Sequence, residues 1–139
     1  PLSRRDFWAI LRSLPAQGVT VFVSTPYMDE AAQCQRLGFL AQGRLLACDT
    51  PARLREQLTG RVLELRCIPL RPARTVLEAL PQVHHLEVFG NRLHLLVDDA
   101  ARDAATVVAA LEGEKFTVAS CRPIEPSLED VFIALLGIR

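Results

Sequence analysis

A predicted β-hairpin contains two histidines and a glutamate, which are residue types that bind metal ions. The turn signal Gly90-Asn91 places Glu87 opposite His94, and His85 points to the same face of the hairpin as both. A His-Glu-His group could bind zinc or another divalent metal ion. The opposite face is apolar and predicts the core side. We therefore expect the histidine face to be solvated, with metal binding as the weaker interpretation.

Other reactive residue types indicate structural roles. Asp29 and Glu30 are adjacent on a predicted helix, so their side chains diverge, and acids in a first turn favour the helix dipole. The four cysteines form no C-x-x-C pair and are expected to be buried apolar residues of a reducing cytosol. They are Cys34, Cys48, Cys67 and Cys121. The one lysine, Lys115, follows Glu114, so the sequence holds no Gly-Lys-Ser/Thr phosphate loop.

Composition sets the class of protein that must position these residues. The 139 residues are 50% hydrophobic, and 16 basic side chains balance 16 acidic ones. Zero net charge argues against a nucleic-acid partner, and the apolar content argues against a disordered chain. No apolar run approaches the roughly 20 residues that span a bilayer. The sequence therefore predicts one globular domain or two very small ones.

The second part of the chain predicts a βαββαβ order, typical of a ferredoxin-like α+β domain. Turn signals and apolar periodicity separate its strands from its helices. The strands are predicted over 62–68, 83–89, 92–97 and 116–122, and the helices over 72–80 and 100–112. A further helix follows, capped by Ser127 with Asp130 at the box position. We place a domain boundary at Gly60, dividing residues 1–60 from residues 61–139.

The first part predicts a helix capped by Ser3, a buried-type strand over 19–24, a short helix, a hairpin and a helix capped by Thr50. One such strand has no predicted neighbour on either side, which would leave an open edge. We therefore expect residues 1–60 to be the end of a larger α/β domain. Alone, this edge should be covered in a swapped or edge-paired homodimer, or residues 1–60 should be poorly ordered.

The order of several motifs resembles the ATP-binding-cassette (ABC) ATPases, from just after the D-loop to the end of the chain. The matching segments are residues 21–31, 36–40, 42–46 and 50–54, and the D-loop-adjacent residues Pro1 and Leu2. Residues 125–132, Glu-Pro-Ser-Leu-Glu-Asp-Val-Phe, resemble the accessory domain of drug-exporter cassettes that pair with ABC-2 type permeases. The resemblance implies the C-terminal fragment of a P-loop cassette domain followed by a ferredoxin-like accessory domain.

The resemblance also implies which residues would line a nucleotide site. Ser24, Thr25 and Pro26 match the segment in which the family carries its switch histidine, a hydrogen-bond donor to the γ-phosphate. Pro26 stands at that position, and proline has neither a side-chain donor nor a backbone N–H. We therefore expect this ATP site to be degenerate. In the full-length parent the cofactors would be ATP and Mg²⁺; the chain alone is expected to hold neither and to be inactive.

As a whole, the resemblance implies part of the ATP-binding subunit of an exporter for drugs or other hydrophobic compounds. Its partners would be ABC-2 type permease subunits and a second nucleotide-binding domain. It would lie in the cytoplasm, held peripherally at the inner face of the bacterial membrane through the permease. The accessory domain would be regulatory or structural. The alternative is a stand-alone module that senses a small molecule or a metal, or that dimerises.

Overall fold

A computed structural model describes residues 3–137 and forms two sheets with flanking helices. The elements are α1 (Arg4–Ser13), α2 (Met28–Ala31), β1 (Leu37–Ala41), β2 (Arg44–Asp49), α3 (Pro51–Glu56), β3 (Val62–Ile68), α4 (Leu70–Glu78), β4 (Val83–Phe89), β5 (Arg92–Val97), α5 (Ala100–Gly113), β6 (Thr117–Pro123) and α6 (Leu128–Gly137). A 3-10 turn, Pro15–Gln17, follows α1. Pro1 and Leu2 lie outside the described residues.

The larger sheet has four antiparallel strands in the order β4-β5-β3-β6. With α4 and α5 as crossovers, this is the ferredoxin-like arrangement that the sequence predicts. Gly90 has a positive φ of 62° in the β4–β5 turn, a backbone conformation that glycine adopts without steric cost. The register places Glu87 opposite His94, as expected, and His94 opposite Glu64.

The two faces of this sheet bury two separate apolar clusters. The first lies beneath α4 and α5 and contains Leu63, Leu65, Leu93, Leu95, Val107 and Leu111, all fully buried. The second lies on the opposite face, where α6 packs beside α3 and the β1–β2 hairpin. Its members come from both sides of Gly60: Leu37, Phe39, Leu54, Leu58, Val62, Leu128, Val131 and Ala134. The domain boundary at Gly60 stays a prediction.

Local sequence signals explain where the capped helices begin. The Ser3 hydroxyl accepts the Asp6 N–H, and the Asp6 carboxylate accepts the Ser3 N–H, a complete capping box. Thr50 caps α3 by accepting the Arg53 N–H at 3.3 Å. These bonds satisfy N–H groups that the first turn of a helix leaves without partners.

The strand predicted over 19–24 is wrong for this structure. Residues 19–25 have no regular secondary structure, and Phe22 is 92% exposed. A strand exists only where a neighbouring strand completes its hydrogen bonds, and none within residues 3–137 lies beside this segment. The β-branched run therefore remains extended without a ladder.

Two expectations about burial are also wrong. The histidine-bearing face of the β4–β5 hairpin is not simply solvated, because α6 covers its centre and leaves the His94 side chain only 11% exposed. Cys48 is exposed, whereas Cys67 is buried and Cys34 and Cys121 are half-buried. Burial raises the pKa of the Cys121 thiol to about 11, which keeps it protonated and unreactive at neutral pH.

Candidate functional site

The segment Ser24–Thr25–Pro26 connects the extended stretch to α2, and one of its side chains is fixed. The Thr25 hydroxyl donates a hydrogen bond to the Glu30 carboxylate and accepts the Tyr27 N–H at 3.1 Å. Ser24 and Pro26 are both exposed. The segment is therefore anchored at its middle residue, with an exposed residue on each side.

Arg4 of α1 contacts the acidic residues of α2, including Glu30, the hydrogen-bond partner of Thr25. Its guanidinium donates to the Glu30 carboxylate and lies 3.2 Å from Asp29 Oδ1. The same guanidinium lies 4.5 Å from the centre of the Tyr27 ring, a cation–π distance. The hydrogen bond from Thr25, followed by the one from Arg4, lowers the pKa of Glu30. Asp29 and Glu30 thus share one guanidinium, an ion-pair role rather than a catalytic pair.

Two of the three side chains at this segment offer no free hydrogen-bond donor. Pro26 carries no donor, and the Thr25 hydroxyl proton is committed to Glu30. The other predicted residues of the site, Pro1 and Leu2, fall outside the part of the chain that the structure describes. The sequence also lacks a Gly-Lys-Ser/Thr loop.

The three candidate metal ligands line one small cleft beneath α6. Within it, His85 Nε2 lies 3.8 Å from Glu87 Oε2, and His94 Nδ1 lies 2.8 Å from Asp130 Oδ1. The Nε2 atoms of both histidines are buried and have no hydrogen-bond partner among residues 3–137. Within the same described range, no group of three or more His, Cys, Asp or Glu residues could hold a metal ion. The structure brings these three residues together in one cleft.

Asp130 is the residue that ties α6 to the sheet. Its carboxylate accepts the Ser127 N–H at 2.8 Å and the Ser127 hydroxyl at 2.7 Å, and it also contacts His94. Burial alone would raise its pKa, but the bonds from His94 and Ser127 outweigh it and lower the pKa. The sequence predicts the capping role of Asp130, yet gives no signal that His94 is its partner.

Glu64 is a functional candidate that the sequence reasoning missed. It lies in the middle of β3 with a side chain only 4% exposed, and two arginines bind it. Arg92 Nη1 lies 2.8 Å from one carboxylate oxygen and Arg122 Nη2 lies 3.0 Å from the other. The hydrogen bond from Arg122 lowers the pKa of Glu64, and Arg92 adds to this effect. Charged residues at positions 64 and 66, among apolar ones, were the available signal.

The described residues form a ferredoxin-like four-stranded sheet with its two crossover helices, beside a two-stranded hairpin and further helices. Residues 50–136 match the family described as "ATP-binding protein DrrA1-3-like, C-terminal domain". The chain belongs to this family. The resemblance to the C-terminal part of ABC drug-exporter ATP-binding proteins is confirmed.

Curated relatives support the same assignment. The chain is 32% identical over its whole length to "Daunorubicin resistance ATP-binding protein DrrA2" of Streptomyces coeruleorubidus, covering 45% of that protein. It is 36% identical to "Nod factor export ATP-binding protein I" of Rhizobium sp. (strain N33), with 99% of the chain and 43% of that protein aligned. A 57-residue stretch, 41% of the chain, is 47% identical to "Probable multidrug ABC transporter ATP-binding protein YbhF" of Escherichia coli (strain K12), covering 10% of that protein.

The chain spans less than half the length of these relatives. Within residues 3–137, no helix combines the length and the apolar character that crossing a bilayer requires.

Proposed function

We propose that this chain acts as the C-terminal part of the ATP-binding subunit of an ABC-type exporter for drugs or other hydrophobic compounds. The carrying observation is the family match over residues 50–136. Two relatives that align over nearly the whole chain are named for daunorubicin resistance and Nod factor export. The chain's own cargo would belong to the same broad class of exported small molecules.

The nucleotide site to which residues 24–26 would contribute is degenerate in this proposal. Pro26 replaces the one side-chain donor that the resemblance puts at this position, and Glu30 occupies the hydroxyl of Thr25. Losing a preorganised donor at a site of developing charge typically costs about 10²–10³ in rate. Such a site would bind nucleotide for closure and leave most hydrolysis to a second nucleotide-binding domain.

The full-length parent and its partner proteins would supply the other parts of the transporter. ATP and Mg²⁺ would be held by upstream parts of the full-length parent, and ABC-2 type permease subunits would carry the substrate path. The subunit would then lie in the cytoplasm against the inner face of the membrane. The ferredoxin-like domain would be structural or regulatory.

Membrane vesicles that contain the full-length parent and its permease test both parts of the proposal. We expect the Pro26→His variant to raise total ATP hydrolysis by up to about twofold, because the imidazole restores the missing donor and a second site then hydrolyses ATP beside the one that is already competent. The Pro26→Ala variant is the matched control, since it removes the ring without adding a donor, and should show no such gain. Equal rates for the two variants would contradict the degenerate site. Vesicles without any ATPase would contradict the exporter subunit itself.

A further inference from the structure

Half of one sheet face is uncovered and carries three arginines. This is the face opposite α4 and α5, and α6 covers the part of it around Val62, Leu96 and His94. The side chains of Arg66, Arg92 and Arg122 project from the rest of this face with exposures of 45%, 43% and 65%. They come from the adjacent strands β3, β5 and β6. We call these three residues the arginine face.

A single buried carboxylate lies beneath the arginine face. Glu64 accepts Arg92 on one oxygen at 2.8 Å and Arg122 on the other at 3.0 Å. The nearest approach of Arg66 Nε to this carboxylate is 3.9 Å, too long for a hydrogen bond. The three positive charges therefore share one buried carboxylate.

This arrangement holds the guanidinium groups ready for an anionic partner. Each arginine has five N–H donors in a planar fork, and Glu64 uses only one or two from each of its two partners. Neighbouring strands lie about 4.8 Å apart, so the three forks lie within reach of one short acidic segment. Because Glu64 fixes two of them, little side-chain entropy is left to lose on binding.

We propose that the arginine face docks an acidic segment of a partner protein. Guanidinium forks match carboxylates in paired, bidentate geometry, which favours aspartate and glutamate side chains. A second copy of this chain packing the same face would set arginines against arginines, and that repulsion opposes a symmetric dimer here. The proposal does not depend on nucleotide binding.

Fluorescence anisotropy of the 139-residue chain with a labelled peptide of alternating glutamate and alanine tests the proposal. Arg66→Gln removes one free fork without touching a short bond to Glu64, so the fold should be unaffected. We expect it to weaken binding by about tenfold at low salt. Arg71→Gln on α4 is the matched control: it makes the same charge change at an exposed site and should change binding less than about twofold. Equal losses would overturn the proposal.

Glu64→Gln separates an ordered arginine face from simple positive charge. This variant makes the chain more positive, so bulk electrostatics alone would tighten peptide binding. We expect weaker binding by about threefold, because two guanidinium groups lose their anchor. Tighter binding would overturn the proposal. A peptide with glutamine in place of glutamate should not bind, and stronger binding to phosphatidylserine vesicles than to the acidic peptide would assign the face to a lipid surface instead.

Discussion

The Asp130 carboxylate bonds both to the start of its own helix, α6, and to the neighbouring sheet. The carboxylate is buried, completes the capping box with Ser127 and contacts His94 of β5. A buried charge is stabilising only when its partners replace the lost water, and three bonds do so here. Its pKa is lowered in spite of burial, which means that folding favours the ionised form.

Replacing Asp130 with asparagine should reveal this effect in the pH dependence of stability. A lowered folded pKa gives stability above the ordinary Asp pKa of about 3.9, which is lost as the pH falls through the folded value. We therefore expect Asp130→Asn to cost about 1–2 kcal/mol at pH 7, with the gap to wild type closing below about pH 4. Urea unfolding at several pH values measures it.

Glu129→Gln is the matched control for this prediction. Glu129 lies in the same first turn of α6 and carries the same charge. Its replacement should change the free energy of unfolding by less than about 0.5 kcal/mol at every pH. An Asp130→Asn cost that is equally large at pH 3 and pH 7 would show that His94 and Ser127 do not stabilise the ionised carboxylate.

Residue-level predictions from the sequence succeeded where the chemistry is local. Ser3, Thr50 and Ser127 each accept bonds within the next three residues, so a short motif is sufficient to predict them. The partnership of His94 with Asp130 spans 36 residues, and it depends on where α6 docks. No local pattern predicts a contact between residues so far apart in the sequence. The sequence therefore predicted a solvated histidine face.

At the scale of elements, α3 and α6 pack against each other on one side of the sheet. Leu54 of α3 is fully buried in a cluster that also contains Leu128, Val131 and Ala134 of α6. Phe39 of β1 packs on the ring of Phe132 with 5.3 Å between ring centres. The hairpin, α3 and α6 therefore share one apolar cluster on this side of the sheet.

Truncating Leu54 should weaken this packing. Leu54→Ala leaves a cavity at a fully buried position, and we expect a cost of about 2–5 kcal/mol in the free energy of unfolding. Leu45→Ala in β2 is the control, because Leu45 is 59% exposed and its loss should cost less than about 0.5 kcal/mol. Thermal and urea unfolding measure both. Similar costs for the two variants would mean that α3 does not contribute to a cooperative core.

The sequence predicts a helix or a strand correctly where the turn signals and the apolar periodicity point to the same element. The Gly90-Asn91 and Gln42-Gly43 turns predict both hairpins, and in each turn the residues with positive φ allow the strands to pair. The strand predicted over 19–24 failed for the opposite reason. Its composition is typical of a buried strand, but a strand also requires neighbours, and composition does not supply them.

For the whole molecule, exposed apolar side chains are concentrated before residue 50. They are Phe7, Ile10, Val19, Phe22, Tyr27, Leu40 and Leu45. The segment 19–25 also has backbone groups outside any sheet, so a second copy could pair along it. The swapped or edge-paired dimer expected from the sequence stays a prediction.

Sedimentation velocity over a range of concentrations tests that association. We expect the 139-residue chain to self-associate through residues 19–24, and Phe22→Asp to keep it monomeric, because a charge replaces the most exposed aromatic side chain of the segment. Leu45→Asp is the matched control: it adds the same charge at an exposed apolar position on the hairpin and should leave association unchanged. A monomer at every concentration, or equal dissociation by both variants, would show that the unpaired segment is not the contact.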